Sequence, residues 1–237
     1  MKKFFTVAIL TTAMLFNTAS AAPAPAKDRE TIYQIALLQS LAMGYFDGSI
    51  SVKDLKINVV ADKVTVPFSN VTFFDKDFSV KLADVQSKDA LEKIFNEQVA
   101  KYGRNSFYMI KLSGTFNEVL IRSESGQKEP YPTLVEALKT QNEISPKNIK
   151  GTIVGLYCPD FMSSLNSTGW HFHFISADKK IGGHVLELNL KSGEAQFDKT
   201  DNFLLNLPTK ENFHALNFKK NMTEDIRKAE QDVQGGK

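Results

Sequence analysis

Three of the chain's four histidines, His171, His173 and His184, lie close together. His171 and His173 are two apart in the run Gly-Trp-His-Phe-His-Phe-Ile-Ser that begins at Gly169. In a strand, residues two apart point to the same side. Both imidazoles therefore share one face, and Trp170, Phe172 and Phe174 take the other, which is apolar enough to be core. Residues 178–183, Asp-Lys-Lys-Ile-Gly-Gly, read as a turn, and the return strand brings His184 back alongside the first two. Three imidazoles on one hairpin make a three-nitrogen metal site with positions left for further ligands. Neutral imidazole suits zinc first and other divalent first-row metals next. A site of this kind is equipment for catalysis, hydrolysis included, although the spacing names no reaction. The competing reading is a set of hydrogen-bonded or pH-sensing histidines. His214 stands apart, and Cys158, beside Pro159, reads as a packed thiol rather than a ligand.

The elements that must position these groups alternate between helix and strand signals. Ser87 can cap a helix carrying Leu91, Ile94, Phe95, Val99 and Tyr102 on one stripe, stopped at Gly103. Residues 31–44 have apolar positions at helical spacing, and helices are also expected at 134–139 and 223–233. Strands are expected at 64–68, 71–74 and 78–85. Residues 107–112 and 116–123 flank Ser113-Gly114 and read as a hairpin. From Gly151 onward strands dominate, at 152–157, 169–176, 185–190 and 203–207. The expected fold is a mixed α/β (α+β) arrangement. It has two closely packed, largely antiparallel or mixed β-sheets with flanking helices, and the metal site lies between them. The parts are residues 22–150, a sheet-plus-helix region, and residues 151–237, a strand-rich region carrying the histidines.

Composition bounds what such a site can serve. At 237 residues, 42% hydrophobic and 24% charged, the chain suits an ordinary globular protein with a sizeable core. The leader-like start is basic at Lys2 and Lys3, apolar over residues 4–16, and ends in Ala19-Ser20-Ala21. It reads as a signal peptide spanning residues 1–21, which predicts an exported protein, periplasmic or secreted. Without those two lysines, 27 basic residues face 27 acidic ones, so no basic excess points to nucleic acid. No later stretch reads as a membrane span, so no membrane association is expected after cleavage. The single cysteine excludes an internal disulfide framework and any multi-cysteine zinc cluster.

Longer blocks carry a resemblance. Residues 151–159 (Gly-Thr-Ile-Val-Gly-Leu-Tyr-Cys-Pro), Leu165-Asn166 and the histidine block through Leu186 closely resemble the signature of bacterial alpha-acetolactate decarboxylases. Residues 31–35, 45–48, 67–74, 107–112, 121–123 and 128–132 resemble that family's other blocks in collinear order. The resemblance implies zinc-dependent conversion of 2-acetolactate to acetoin and carbon dioxide, through an enediolate that the metal stabilises as Lewis acid. It places the family's zinc-binding histidines on His171, His173 and His184. It places the active-site arginine on Arg122 and the carboxy-terminal active-site glutamate on Glu230. Arg122 would hold the substrate carboxylate through a bidentate fork, and Glu230 would ligate the metal or move a proton. No organic cofactor is called for, and the resemblance implies a homodimer.

One departure accompanies it. The family carries a glycine- and phenylalanine-rich turn followed by Leu-Asp-Gly-Glu and a Tyr-Gln strand. Here Asp54-Leu-Lys56 runs almost directly into residues 57–63, and no glutamate occurs between Glu30 and Glu92. The amino-terminal active-site glutamate therefore has no counterpart. Two further expectations stand beside the decarboxylase. One is a catalytically impaired family member that binds metal or a small hydroxy-keto acid; the other is a zinc hydrolase.

Overall fold

The computed structural model describes residues 74–123, 139, 141–163 and 165–205, together with five earlier strands. These strands are β1 (Phe4–Ile9), β2 (Ala19–Ser20), β3 (Gly48–Lys53), β4 (Lys56–Ala61) and β5 (Phe68–Thr72). The helices expected at 31–44 and 223–233 lie outside the described residues, as do nearly all of that at 134–139 and most of the strand at 64–68. So do Glu230 and His214. Strands β2, β4 and β3 pair in one small sheet. In another, β1 lies between β5 and β12 (Asn202–Leu205).

The third sheet positions the site. It contains β6 (Phe78–Val85), β7 (Phe107–Ser123), β8 (Asn142–Ile144), β9 (Lys147–Cys158), β10 (Gly169–Ser176) and β11 (Gly182–Thr200). All its pairings are antiparallel. Strand β7 pairs with both β9 and β11, and β10 joins β9 to β11, so these four strands close on themselves. β6, β7 and β8 precede residue 151 while β9 crosses it, so the sheet has no break at that point.

One face of this sheet and the helix α1 (Lys88–Tyr102) share an aromatic core. Ser87 caps the helix by accepting from the Ala90 amide at 3.1 Å, and the Gly103 amide closes the other end on the Val99 carbonyl. Leu91, Phe95 and Val99 turn inward to meet Trp170, Phe172, Phe174 and Phe197. Phe95 packs at ring-centroid distances of 5.2 Å from Trp170 and 5.0 Å from Phe197. Rings of this size dominate core energetics, and the indole N–H of Trp170 is satisfied by Asn96 at 2.9 Å.

The expected hairpin at Ser113-Gly114 is corrected by the structure, because Phe107–Ser123 is one continuous strand. Gly114 serves close approach instead of a turn. A Cβ there would meet the Ser192 carbonyl oxygen on β11 at 2.5 Å. A glycine inside a strand marks such an approach as readily as a reversal. The strand expected at 185–190 is likewise only part of the longer β11. Among the described residues the architecture is mostly antiparallel β-sheet with few helices.

Candidate active site

The period-2 alternation of β10 separates its two kinds of side chain as the sequence requires. Trp170, Phe172 and Phe174 enter the aromatic core, and His171 and His173 face the other way. On that second face Leu156 is the strand partner of His171 and Val154 that of His173. Both belong to an apolar cluster with Phe74, Phe107, Met109, Cys158 and Met162. After a turn, β11 returns so that His184 stands directly opposite His173. Gly183 lets β7 come close beside it, since a Cβ there would lie 2.5 Å from the Arg122 carbonyl oxygen.

The three rings converge. His171 Nε2 lies 2.9 Å from His173 Nε2 and 3.0 Å from His184 Nδ1, and all three side chains are buried. Ring centroids are separated by 4.7 to 5.4 Å. One donor nitrogen from each ring lies within 4.8 Å of the others, so the group could hold a metal ion. Burial, then the neighbouring His173, then Arg122 and Lys88 hold His171 well below the ordinary imidazole range. Burial, then His171 and His173, then the same two cations do so for His184. Desolvation penalises the charged ring, so these imidazoles stay neutral and keep the lone pairs a metal requires.

Arg122 belongs to the same place. It is the strand partner of His184 on β11 and of Glu143 on β8. Directly paired residues in adjacent strands project to one side of a sheet. A single row thus crosses four strands as His173, His184, Arg122 and Glu143. Arg122 is only 2% exposed, and its Nη1 donates to Gln141 Oε1 at 3.3 Å. Gln141 Nε2 donates in turn to Glu143 Oε1 at 2.6 Å. Buried charge is retained where it has partners and a task.

The expected metal ligands are therefore brought together, with Arg122 beside them. Glu230 lies outside the described residues. Cys158 is fully buried in the apolar cluster and is absent from the histidine group. Burial, with Asp160 nearby, pushes its thiol up to about 12. Sequence reasoning missed Gln141 and Glu143, whose only local signal is polarity near Pro146.

A mostly antiparallel sheet carrying a buried three-histidine group, with a buried arginine in register beside it, defines a β-protein able to hold a metal ion in an enclosed site. Residues 53–220 match the family model described as alpha-acetolactate decarboxylase, and the chain belongs to that family. The alpha-acetolactate decarboxylase of Brevibacillus brevis is 30% identical over 245 aligned positions, covering 90% of this chain and 84% of the relative. That of Methanosarcina mazei is 29% identical over 233 positions, covering 85% and 80%. Both alignments run over more positions than this chain contributes residues, so a few tens of positions in each relative find no counterpart here. The crystal structure of the Bacillus subtilis strain 168 enzyme superposes with a TM-score of 0.69 at 25% identity, covering 95% of this chain and 98% of that one. A Staphylococcus aureus protein of unknown function, described as similar to alpha-acetolactate decarboxylase, superposes at 0.65 and 20% identity, which speaks for the fold alone.

Proposed function

We propose that this chain decarboxylates 2-acetolactate to acetoin and carbon dioxide at a divalent metal, zinc first, held by His171, His173 and His184. The observation that carries the reading is the row that sets two imidazoles and the Arg122 guanidinium side by side, with His171 closing on the same point. When bound, such a cation supplies an electron-withdrawing centre for the ketone oxygen of a hydroxy-keto acid. The chain's own residues do the rest. Arg122 binds the substrate carboxylate through its planar fork and fixes the carbon–carbon bond to be broken. The buried histidine face, with Val154 and Leu156 as strand partners of the two β10 rings, excludes water around the carbon that loses carbon dioxide, so the electron pair left there is protonated by a placed group. The electron pair of the broken bond then takes a proton at that carbon, and Glu230 is proposed as its donor. The amino-terminal part is proposed to supply a second sheet against this site, and the chain to act as an exported homodimer cleaved after Ala21. Cleavage there would remove β1 from between β5 and β12.

A second reading has its own support. No glutamate occurs between Glu30 and Glu92, the stretch in which the family resemblance implies the amino-terminal active-site glutamate. The chain would then bind metal and a hydroxy-keto acid with little turnover. Purified protein incubated with 2-acetolactate separates the two. Acetoin formation abolished by a chelator and by His173→Ala supports the decarboxylase. One bound metal per chain without product supports the binding protein, and no bound metal overturns both.

A further inference from the structure

The register between β6 and β11 extends beyond the pairs the two strands make. Each step back along β6 is matched by one step forward along β11, from Val85 opposite Leu190 to Phe78 opposite Phe197. Past that pair the chains stay together. The Asp77 amide donates to the Phe197 carbonyl, the Lys199 amide to Asp77 Oδ2 and the Asp75 amide to Asp198 Oδ2, each at 2.8 Å. Phe74 is buried in the apolar cluster on the histidine side, and Phe203 packs against the same cluster. Carried on without a slip, this ladder would set Thr72 opposite Phe203, Val71 opposite Leu204 and Asn70 opposite Leu205. Those three pairs already share rows, with β1 between them. Thr72, Phe5 and Phe203 form one row, Val71, Thr6 and Leu204 the next, and Asn70, Val7 and Leu205 the third. β1 is antiparallel to β5 and parallel to β12, so β5 and β12 run antiparallel to each other, as β6 and β11 do.

Resting on the reading that a leader is cut after Ala21, we infer that β1 is a removable wedge in this ladder, and that its loss lets β5 pair directly with β12 in the register of β6 and β11. Two strands that lose the one between them each present a row of unpaired backbone groups. These two are held at one end by the bonds around Asp77, and they need to close by one strand spacing, about 4.8 Å. While the leader is covalently attached, β1 competes for the slot at the high effective concentration of an intramolecular segment. Once cut it is a dilute, separate peptide, held in part by parallel pairing, the slightly weaker kind. Precursor and mature chain therefore differ in strand order.

The test uses the full-length, zinc-supplemented chain with a specific protease site placed between Ala21 and Ala22, so that one preparation is measured before and after the cut. Val71→Cys with Leu204→Cys, and Asn70→Cys with Leu205→Cys, are made separately in a Cys158→Ala background. Neighbouring antiparallel rows alternate in hydrogen bonding, so the two variants sample both pair geometries. With β1 in place the Cα atoms of each pair are about 10 Å apart, beyond the roughly 7 Å that a disulfide spans, and after closure they are about 5 Å apart. The expected result is less than about a tenth of the chain cross-linked before the cut and more than about half after it, in at least one row. Thr72→Cys with Leu205→Cys, which is out of register, should stay reduced in both states. Should the cysteine variants not fold, hydrogen exchange on the chain without them carries the decision, because the amides of residues 68–72 and 202–205 should stay protected after the cut leader is removed by gel filtration. Cross-linking as extensive before the cut as after it, its absence from both rows of the folded, cut chain, or loss of that protection overturns the inference. The mass of the chain recovered from an exporting host separates this from the underlying reading. An intact leader there means that the cleavage reading has failed, while the cut-dependent cross-link still decides the wedge; a start at Ala22 without the cross-link means that only the wedge has failed.

Discussion

The two faces of β10 differ in what their side chains cost and what they return. Trp170, Phe172 and Phe174 remove apolar rings from water, the first two packing against Phe95 and the third edge-on against Phe116, so burial itself stabilises them. His171 and His173, one residue out of phase, bury polar nitrogens that packing alone does not satisfy. Their nitrogens reach a compact arrangement only because His184 returns opposite His173 on the neighbouring strand. One strand thus builds the scaffold with alternate residues and the chemistry with the rest. Stability and activity should therefore separate by face.

The largest expected effect is on the histidine side. His173→Ala should lower kcat/KM on the order of 10³-fold or more, because the proposed metal site would lose one of its three ligands. Its fold should survive, and added zinc should raise the Tm of wild type but not of the variant. On the aromatic side the pattern reverses. Phe172→Ala should cost about 3–5 kcal/mol of unfolding free energy, measured by urea titration, with turnover per folded molecule retained. Gly155→Ala tests the same face from the opposite direction. A Cβ there would lie 2.5 Å from Phe172 Cδ1, and overpacking of this kind costs about 1–3 kcal/mol.

Arg122→Lys should fall between the two sides, lowering kcat/KM about 10²-fold while the metal still binds, since a point charge replaces a bidentate fork. The smallest effect concerns Cys158. Its thiol is held up at about 12, against 9.0 for the free group. As pH rises above 9, the unfolded chain loses this proton while the folded chain keeps it, so stability falls with rising pH up to about 12. The Tm of wild type should decline between pH 9 and 11 more steeply than that of Cys158→Ala. Equal slopes would show that this thiol is not responsible.

The same contrast explains how much the sequence disclosed. The hairpin at 169–184 was legible because alternation of aromatic and imidazole side chains is local, and strand period alone assigns the faces. The capped helix at Ser87 was legible for the same reason. Ser113-Gly114 misled because a glycine that admits the Ser192 carbonyl has the same local signature as one that makes a turn. The placement of Arg122 opposite His184 has no local signature, since it is a cross-strand register between residues far apart in the chain. Only family resemblance pointed to that arginine. Gln141 and Glu143 were invisible for the same physical reason, because their meaning comes from the strand beside them.

Equilibrium dialysis against zinc, followed by metal analysis, addresses the convergence of the three rings without relying on turnover. The wild-type chain should retain one ion, and His171→Ala, His173→Ala and His184→Ala should each lose it while melting as folded proteins. Equal zinc retention by wild type and by all three variants would contradict a shared three-imidazole site.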